Sequence, residues 1–103
     1  MRKQAGSERE RVLGLLRTRA AALRAQGIHG LALFGSVARD EARADSDVDL
    51  LVELDRESEL GFGVVALRQE LSRLLDRQVG LAFAARLRPE LRARIEPDLI
   101  RVF

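Results

Sequence analysis

Two short apolar runs constrain the fold of this chain more than any other feature. Ile28–Phe34 (IHGLALF) is bounded by glycines, and Asp47–Leu54 (DVDLLVEL) alternates strictly at its start. The first reads as a buried strand, although periodicity alone does not separate a strand from a helix segment at that length. The second reads as a strand with two distinct faces. Val48, Leu50, Val52 and Leu54 fall on one face, and Asp47, Asp49, Leu51 and Glu53 on the other.

Helical spacing surrounds these runs. Ser7-Glu8-Arg9-Glu10 has the spacing of a capping box, and Val12, Leu15, Leu16, Ala20 and Leu23 recur at helical intervals until Gly27, so one helix is expected over Ser7–Gln26. Gly35-Ser36 breaks the first strand. With Ser36 as N-cap, Val37–Ala42 makes a short helix before the polar segment Arg43–Ser46. Past a polar turn at Asp55–Ser58, Val64, Leu67, Leu71, Leu74 and Leu75 mark a helix reaching Arg77, with Gly61 and Gly63 near its start. Gln78–Phe83 reads as a third strand. Arg88-Pro89 opens a last helix that stops before Pro97, and Leu99–Phe103 (LIRVF) closes the chain as a short strand. The expected class is α/β in the α+β sense: helices packed on a small mixed sheet. With 103 residues, a single domain over 1–103 is expected.

Composition removes several function classes. No cysteine is present, so disulfides, thiol nucleophiles and cysteine-based zinc sites are excluded. The stretch Ala25–Ala38 is free of charge but holds glutamine, histidine and glycines, and falls short of the roughly 18 apolar residues a membrane helix needs. The basic N-terminus lacks an apolar core, so a cytoplasmic location is expected. The pI near 10.3 comes from a net charge of only +2, with almost nothing titrating between His29 and the arginines. Four phenylalanines without interleaved arginines make no stacking platform, so nucleic acid is a weak candidate partner.

Chemistry concentrates in Phe34–Glu53, FGSVARDEARADSDVDLLVE. Asp47 and Asp49, two apart on a strand, project from one face about 7 Å apart. They suit a shared hard divalent cation of the magnesium type carrying phosphate oxygens. Gly35 permits close backbone approach, Ser36 offers a hydroxyl at a helix start, and Arg39 offers a charged fork to a phosphate. Competing readings fail on particular residues. Asp45, Asp47 and Asp49 imitate an EF-hand start, but Leu50 stands where the glycine belongs and Arg56 where the glutamate belongs. Lys3, the single lysine, has no glycine-rich loop before it. His29 has no serine or cysteine pattern of a triad and reads as a polar residue at a strand start.

Gly35-Ser36 through Asp47-Val48-Asp49, with the leading helix, the ELSRLLDRQVGL segment and the LIRVF close, resembles the minimal nucleotidyltransferases of the antitoxin type. These are small members of the DNA polymerase beta superfamily. The resemblance implies the nucleotidyltransferase fold and a two-metal, Mg2+-dependent transfer of a nucleotidyl group, AMP by preference, from a nucleoside triphosphate such as ATP. It implies Asp47 and Asp49 as catalytic metal ligands and Gly35 and Ser36 as triphosphate-positioning residues, with Arg39 similar to a common family arginine. It also implies a HEPN-domain protein as partner and acceptor, in a toxin–antitoxin pair.

One departure qualifies this. The family's third carboxylate sits in a segment resembling K-V-D-L, which here is Gln78-Val79-Gly80-Leu81, with Gly80 in the acid's place. A missing third acid removes a ligand of the second, activating metal and leaves the triphosphate-bound metal its pair. Glu53 lies about 13 Å beyond Asp49 along the strand, too far to substitute. Asp40 replaces a glycine common in the family. Three readings therefore stand: a nucleotidyltransferase impaired at Gly80, a catalytically degenerate nucleotide- or partner-binding antitoxin module, and an oligomerisation or scaffold role with no nucleotide.

Overall fold

A computed structural model describes residues 7–55 and 63–103. Residues 56–58 of the expected turn, and Gly61 at the expected helix start, lie outside the described residues. Along the chain run α1 (Glu8–Thr18), α2 (Ala20–Ala25), β1 (Ile28–Phe34), α3 (Gly35–Ala38), β2 (Val48–Leu54), α4 (Gly63–Leu75), β3 (Val79–Phe83), α5 (Pro89–Ile95) and β4 (Ile100–Arg101). Single 3-10 turns at Ala84–Arg86 and Glu96–Asp98 flank α5. The mixed α/β class expected from the sequence is the class observed.

The sheet has four strands in the order β3-β2-β1-β4. β1 pairs antiparallel with β2 and with β4, while β2 and β3, joined through α4, run parallel. A helix on the connection is what a parallel pair requires, because its strands start at the same sheet end. Val12, Leu16, Leu23, Leu67, Leu71 and Leu75 from the helices meet Leu31, Leu33, Leu50 and Val52 in one aliphatic core. Leu51 and Ala32 are also buried, at 1% and 2% exposure. They oppose each other in the register, and alternation puts them on the other face, with Asp49 and Glu53.

Four expectations are corrected in detail, the first being that β2 begins at Val48 rather than Asp47, because Asp47 pairs with no neighbouring strand. The helix expected over Ser7–Gln26 is two helices, broken at Arg19. Thr18 Oγ1 donates to the Leu15 carbonyl at 2.5 Å and Arg19 N–H to the Leu16 carbonyl at 3.0 Å, a local competition that bends helices. The short helix occupies Gly35–Ala38 rather than Val37–Ala42, so its N-cap is Phe34 and Ser36 lies inside it. Regular pairing of the last strand covers Ile100–Arg101 rather than Leu99–Phe103, although Val102 N–H still donates to Leu31 at 2.8 Å.

Candidate functional site

β1 ends at Phe34, and Gly35 turns the chain at once into α3. Its φ of +81 lies in the left-handed region that glycine enters freely. Space makes the same demand, since a Cβ here would run into Asp49 Oδ2. The Asp49 carboxylate therefore sits directly over the β1–α3 turn. Ser36 follows, half-buried, its carbonyl accepting from Glu41 N–H at 2.8 Å. Val37 and Ala38 are buried and root the turn in the core, and Arg9 Nη1 donates to the Ala38 carbonyl at 3.2 Å.

Asp47 stands one residue before β2 and is exposed, whereas Asp49, inside the strand, is half-buried. In the register Asp49 faces Phe34 on one side and Gly80 on the other. Burial pushes the Asp49 carboxyl above its ordinary range, and the Asp47 charge pushes it further, with Arg39 opposing. The two acids thus feel one another as expected for carboxylates on one site. Among the described residues neither makes an ion pair.

That chemistry fits a hard divalent cation: two oxygen donors, mutually repelling, one held in a poorly solvated place. It fits only one. Among the described residues no three His, Cys, Asp or Glu side chains converge as a metal-ligand group. A Cβ on Gly80 would lie 3.2 Å from Asp49 Oδ1, so a side chain there would stand beside the pair. Glu53 is committed elsewhere. Its Oε1 accepts from Arg101 Nη1 at 3.0 Å, crossing β1 over Gly30, where a Cβ would meet that carboxylate.

Arg39 is close enough to act on Asp49, but its donors are turned away. Nε donates to Glu41 and Nη1 to Asp98, each at 3.0 Å. These bonds, Glu41 first, raise the guanidinium further above its ordinary value. Gly35, Ser36, Asp47 and Asp49 are therefore gathered at one end of the sheet, with Arg39 at the margin, bound to acids of the chain itself.

Sequence reasoning missed the residues that hold this site from behind. Arg77 Nη1 donates to the carbonyls of Arg43 at 2.9 Å and Ser46 at 2.7 Å, while its Nε pairs with Glu8 Oε2 at 2.5 Å. Asp98, which bonds Arg39, comes from the turn before β4. No local spacing signals either residue, because their partners lie dozens of positions away. A shallow open depression of about 340 Å3, lined by Ser72, Arg73, Asp76, Arg77 and Gln78, adjoins Arg77 and contains none of the five candidate residues.

Comparison with known proteins bears on the family and the fold. The family described as "Nucleotidyltransferase domain" matches residues 16–102. A protein of Methanocaldococcus jannaschii named "Putative protein adenylyltransferase" is 33% identical over 76 residues, covering 74% of this chain and 81% of that protein. A solved structure described as a "putative minimal nucleotidyltransferase" superposes with a TM-score of 0.70 at 32% identity, covering 95% of this chain and 98% of that one. The MNT antitoxin complexed with the tri-AMPylated HEPN toxin of Shewanella oneidensis shares the fold, with a TM-score of 0.64 at 19% identity over 88% of this chain and 71% of that one. On the match over residues 16–102, the chain belongs to the nucleotidyltransferase domain family.

Proposed function

We propose that this protein binds a magnesium–nucleoside triphosphate, ATP by preference, and transfers its AMP group to an acceptor on a partner protein. The observation that carries the reading is the Asp49 carboxylate seated over the left-handed turn at Gly35, with Asp47 two residues away. Asp47 and Asp49 are the residues that would hold Mg2+, and the ion would offset the phosphate charge that they alone would repel. Gly35 lets the phosphates approach the backbone, and Ser36 adds a hydroxyl. Arg39 reaches a phosphate by exchanging its bonds to Glu41 and Asp98 for it. In the transfer, an acceptor hydroxyl oxygen bonds to the α-phosphorus, the bond to the β-phosphate oxygen breaks, pyrophosphate leaves and the hydroxyl proton passes to solvent. A HEPN-domain protein is the proposed acceptor, supported by the complex of the MNT antitoxin, and a cytoplasmic site of action accords with an ATP substrate.

A second reading draws on Gly80, which faces Asp49 without a side chain. It makes the protein a degenerate module that binds nucleotide or partner without transfer. Incubation of the protein and its HEPN-domain partner with α-labelled ATP and Mg2+ decides between them. Label on the partner, lost in Asp47→Asn, is the expected result. Stable co-purification without label, indifferent to Asp47→Asn and Asp49→Asn, establishes the second reading instead.

A further inference from the structure

Asp47 precedes β2 and has no ladder of its own to hold it. Its two flanking peptides are nevertheless fixed, and both by consecutive residues of one segment. On one side, the Ser46 carbonyl, part of the peptide that leads into Asp47, accepts from Arg77 Nη1 at 2.7 Å. On the other, Val48 N–H donates to the carbonyl of Gln78 at 2.8 Å. The same Arg77 Nη1 also reaches the Arg43 and Ala44 carbonyls, at 2.9 and 3.4 Å. A tight turn, in which Arg43 N–H donates to Ser46 Oγ at 2.8 Å, completes the loop.

Arg77 is well placed to do this. Its side chain is 13% exposed and its Nε is bound to Glu8 Oε2 at 2.5 Å. Glu8 is in turn gripped by Arg11 through Nε at 2.8 Å and Nη2 at 2.6 Å, and that Nη2 also donates to the Leu75 carbonyl at 2.7 Å. The start of α1, the end of α4 and the loop before Asp47 thus share one charged cluster. A planar guanidinium can satisfy a carboxylate and several carbonyls at once, and an ammonium at the same place has neither the fork nor the reach.

We infer that Arg77, anchored by Glu8, is a positioning residue that sets the Ser46–Asp47 peptide and so the place of the Asp47 carboxylate relative to Asp49. This rests on the reading of the acid pair as a metal–nucleotide site. Groups that orient metal ligands from behind are worth about 10–100-fold in affinity.

The test is a calorimetric titration with Mg-ATP of the wild type, Arg77→Ala, Arg77→Lys and Arg101→Ala, with thermal stability measured beside it. Arg101→Ala is the control, because it removes an ion pair of the same sheet that does not touch residues 43–46. Arg77→Ala is expected to bind about 10–100-fold more weakly, Arg77→Lys to fall between, and Arg101→Ala to match the wild type even where its stability drops. Should Arg77→Ala fail to fold, Arg77→Lys carries the comparison. A folded Arg77 variant with wild-type affinity, beside a wild type that binds, overturns the positioning role alone. A wild type that binds no Mg-ATP overturns the nucleotide reading and the positioning role together.

Discussion

Two glycines meet the Asp49 carboxylate, and only one of them is required to be glycine by its backbone and its space. Gly35 has a positive φ and no room for a Cβ, so any side chain there is strained and displaces Asp49. Gly80 has neither handicap. Its backbone is not left-handed, and a Cβ would lie 3.2 Å from Asp49 Oδ1, close enough to shift that carboxylate by a few tenths of an ångström. Gly80→Asp would therefore be accommodated, at the cost of a third like charge beside Asp47 and Asp49. Without metal it should lower stability by about 1–2 kcal/mol, and added Mg2+ should recover most of that loss in urea denaturation. If the site is otherwise complete, transfer from α-labelled ATP rises by orders of magnitude, since the activating metal regains a ligand. An unchanged rate would mean that Gly80 does not limit the reaction. That Gly80 takes the place of the family's third acid was legible from the resemblance of Gln78-Val79-Gly80-Leu81 to a family pattern, whereas its standing opposite Asp49 was not. The 3.2 Å clearance needed the β2–β3 register.

At the scale of elements, the apolar spacing marked the helices and strands, and the departures come from polar contacts and special backbone. The break at Arg19 follows from Thr18 bonding back to Leu15, a choice between hydrogen bonds that apolar spacing does not encode. The early start of α3 follows from Gly35, whose turn begins the helix before Ser36 can cap it. α3 ends at Ala38, and Asp40, just past its C-cap Arg39, holds φ +62; α4 ends at Leu75, and Asp76, just beyond, holds φ +54. Arg77 N–H donates to the Ser72 carbonyl at 3.3 Å, the 6→1 bond of a helix closed by a left-handed residue. An aspartate tolerates that conformation better than most residues but less well than glycine. Asp40→Gly should raise stability by about 0.5–1 kcal/mol, seen as a higher urea midpoint at unchanged slope. A lower midpoint would mean that the Asp40 side chain makes a contact worth more than its backbone costs.

Over the whole molecule, the Arg11–Glu8–Arg77 cluster joins the start of α1 to the segment between α4 and β3, and it gives acid stability a particular shape. Glu8 is held down from 4.5 to about 2, chiefly by its bond with Arg11, with burial next and opposing, and then by its bond with Arg77 and the charges of both arginines. A lowered carboxylate stabilises fully above its unfolded value and loses that contribution as pH falls through its folded value. The window therefore runs from about pH 4.5 down to about 2. With the side chain 26% exposed, solvent screening reduces the contribution to about 1–2 kcal/mol. Glu8→Gln should lose that amount at pH 7, with the gap from wild type narrowing steadily below pH 4.5 in urea titrations. Asp49 works in the opposite sense: its carboxyl is raised, so its favourable contribution is present below 3.8 and is lost as pH rises. Comparing wild type with the single variant isolates Glu8 from that background. A gap independent of pH would place the value of Glu8 in packing rather than charge.

The sequence by itself determined most of the order of elements and of the aliphatic core positions, and the pairing of a glycine turn with two acids spaced two apart at the start of a strand. Those features are local: periodicities of 3.6 and 2, a cap, and a spacing of two are all written within a few residues. Tertiary structure alone decided which strands neighbour which, that Glu53 is spent on Arg101 across Gly30, and that Arg39 is held by Asp98. It alone brought Arg77 behind Asp47. The physical reason is reach: an arginine side chain finds its partner by where the folded backbone carries it. Arg77 meets Glu8 across 69 positions and Ser46 across 31, separations at which no local pattern constrains the pair.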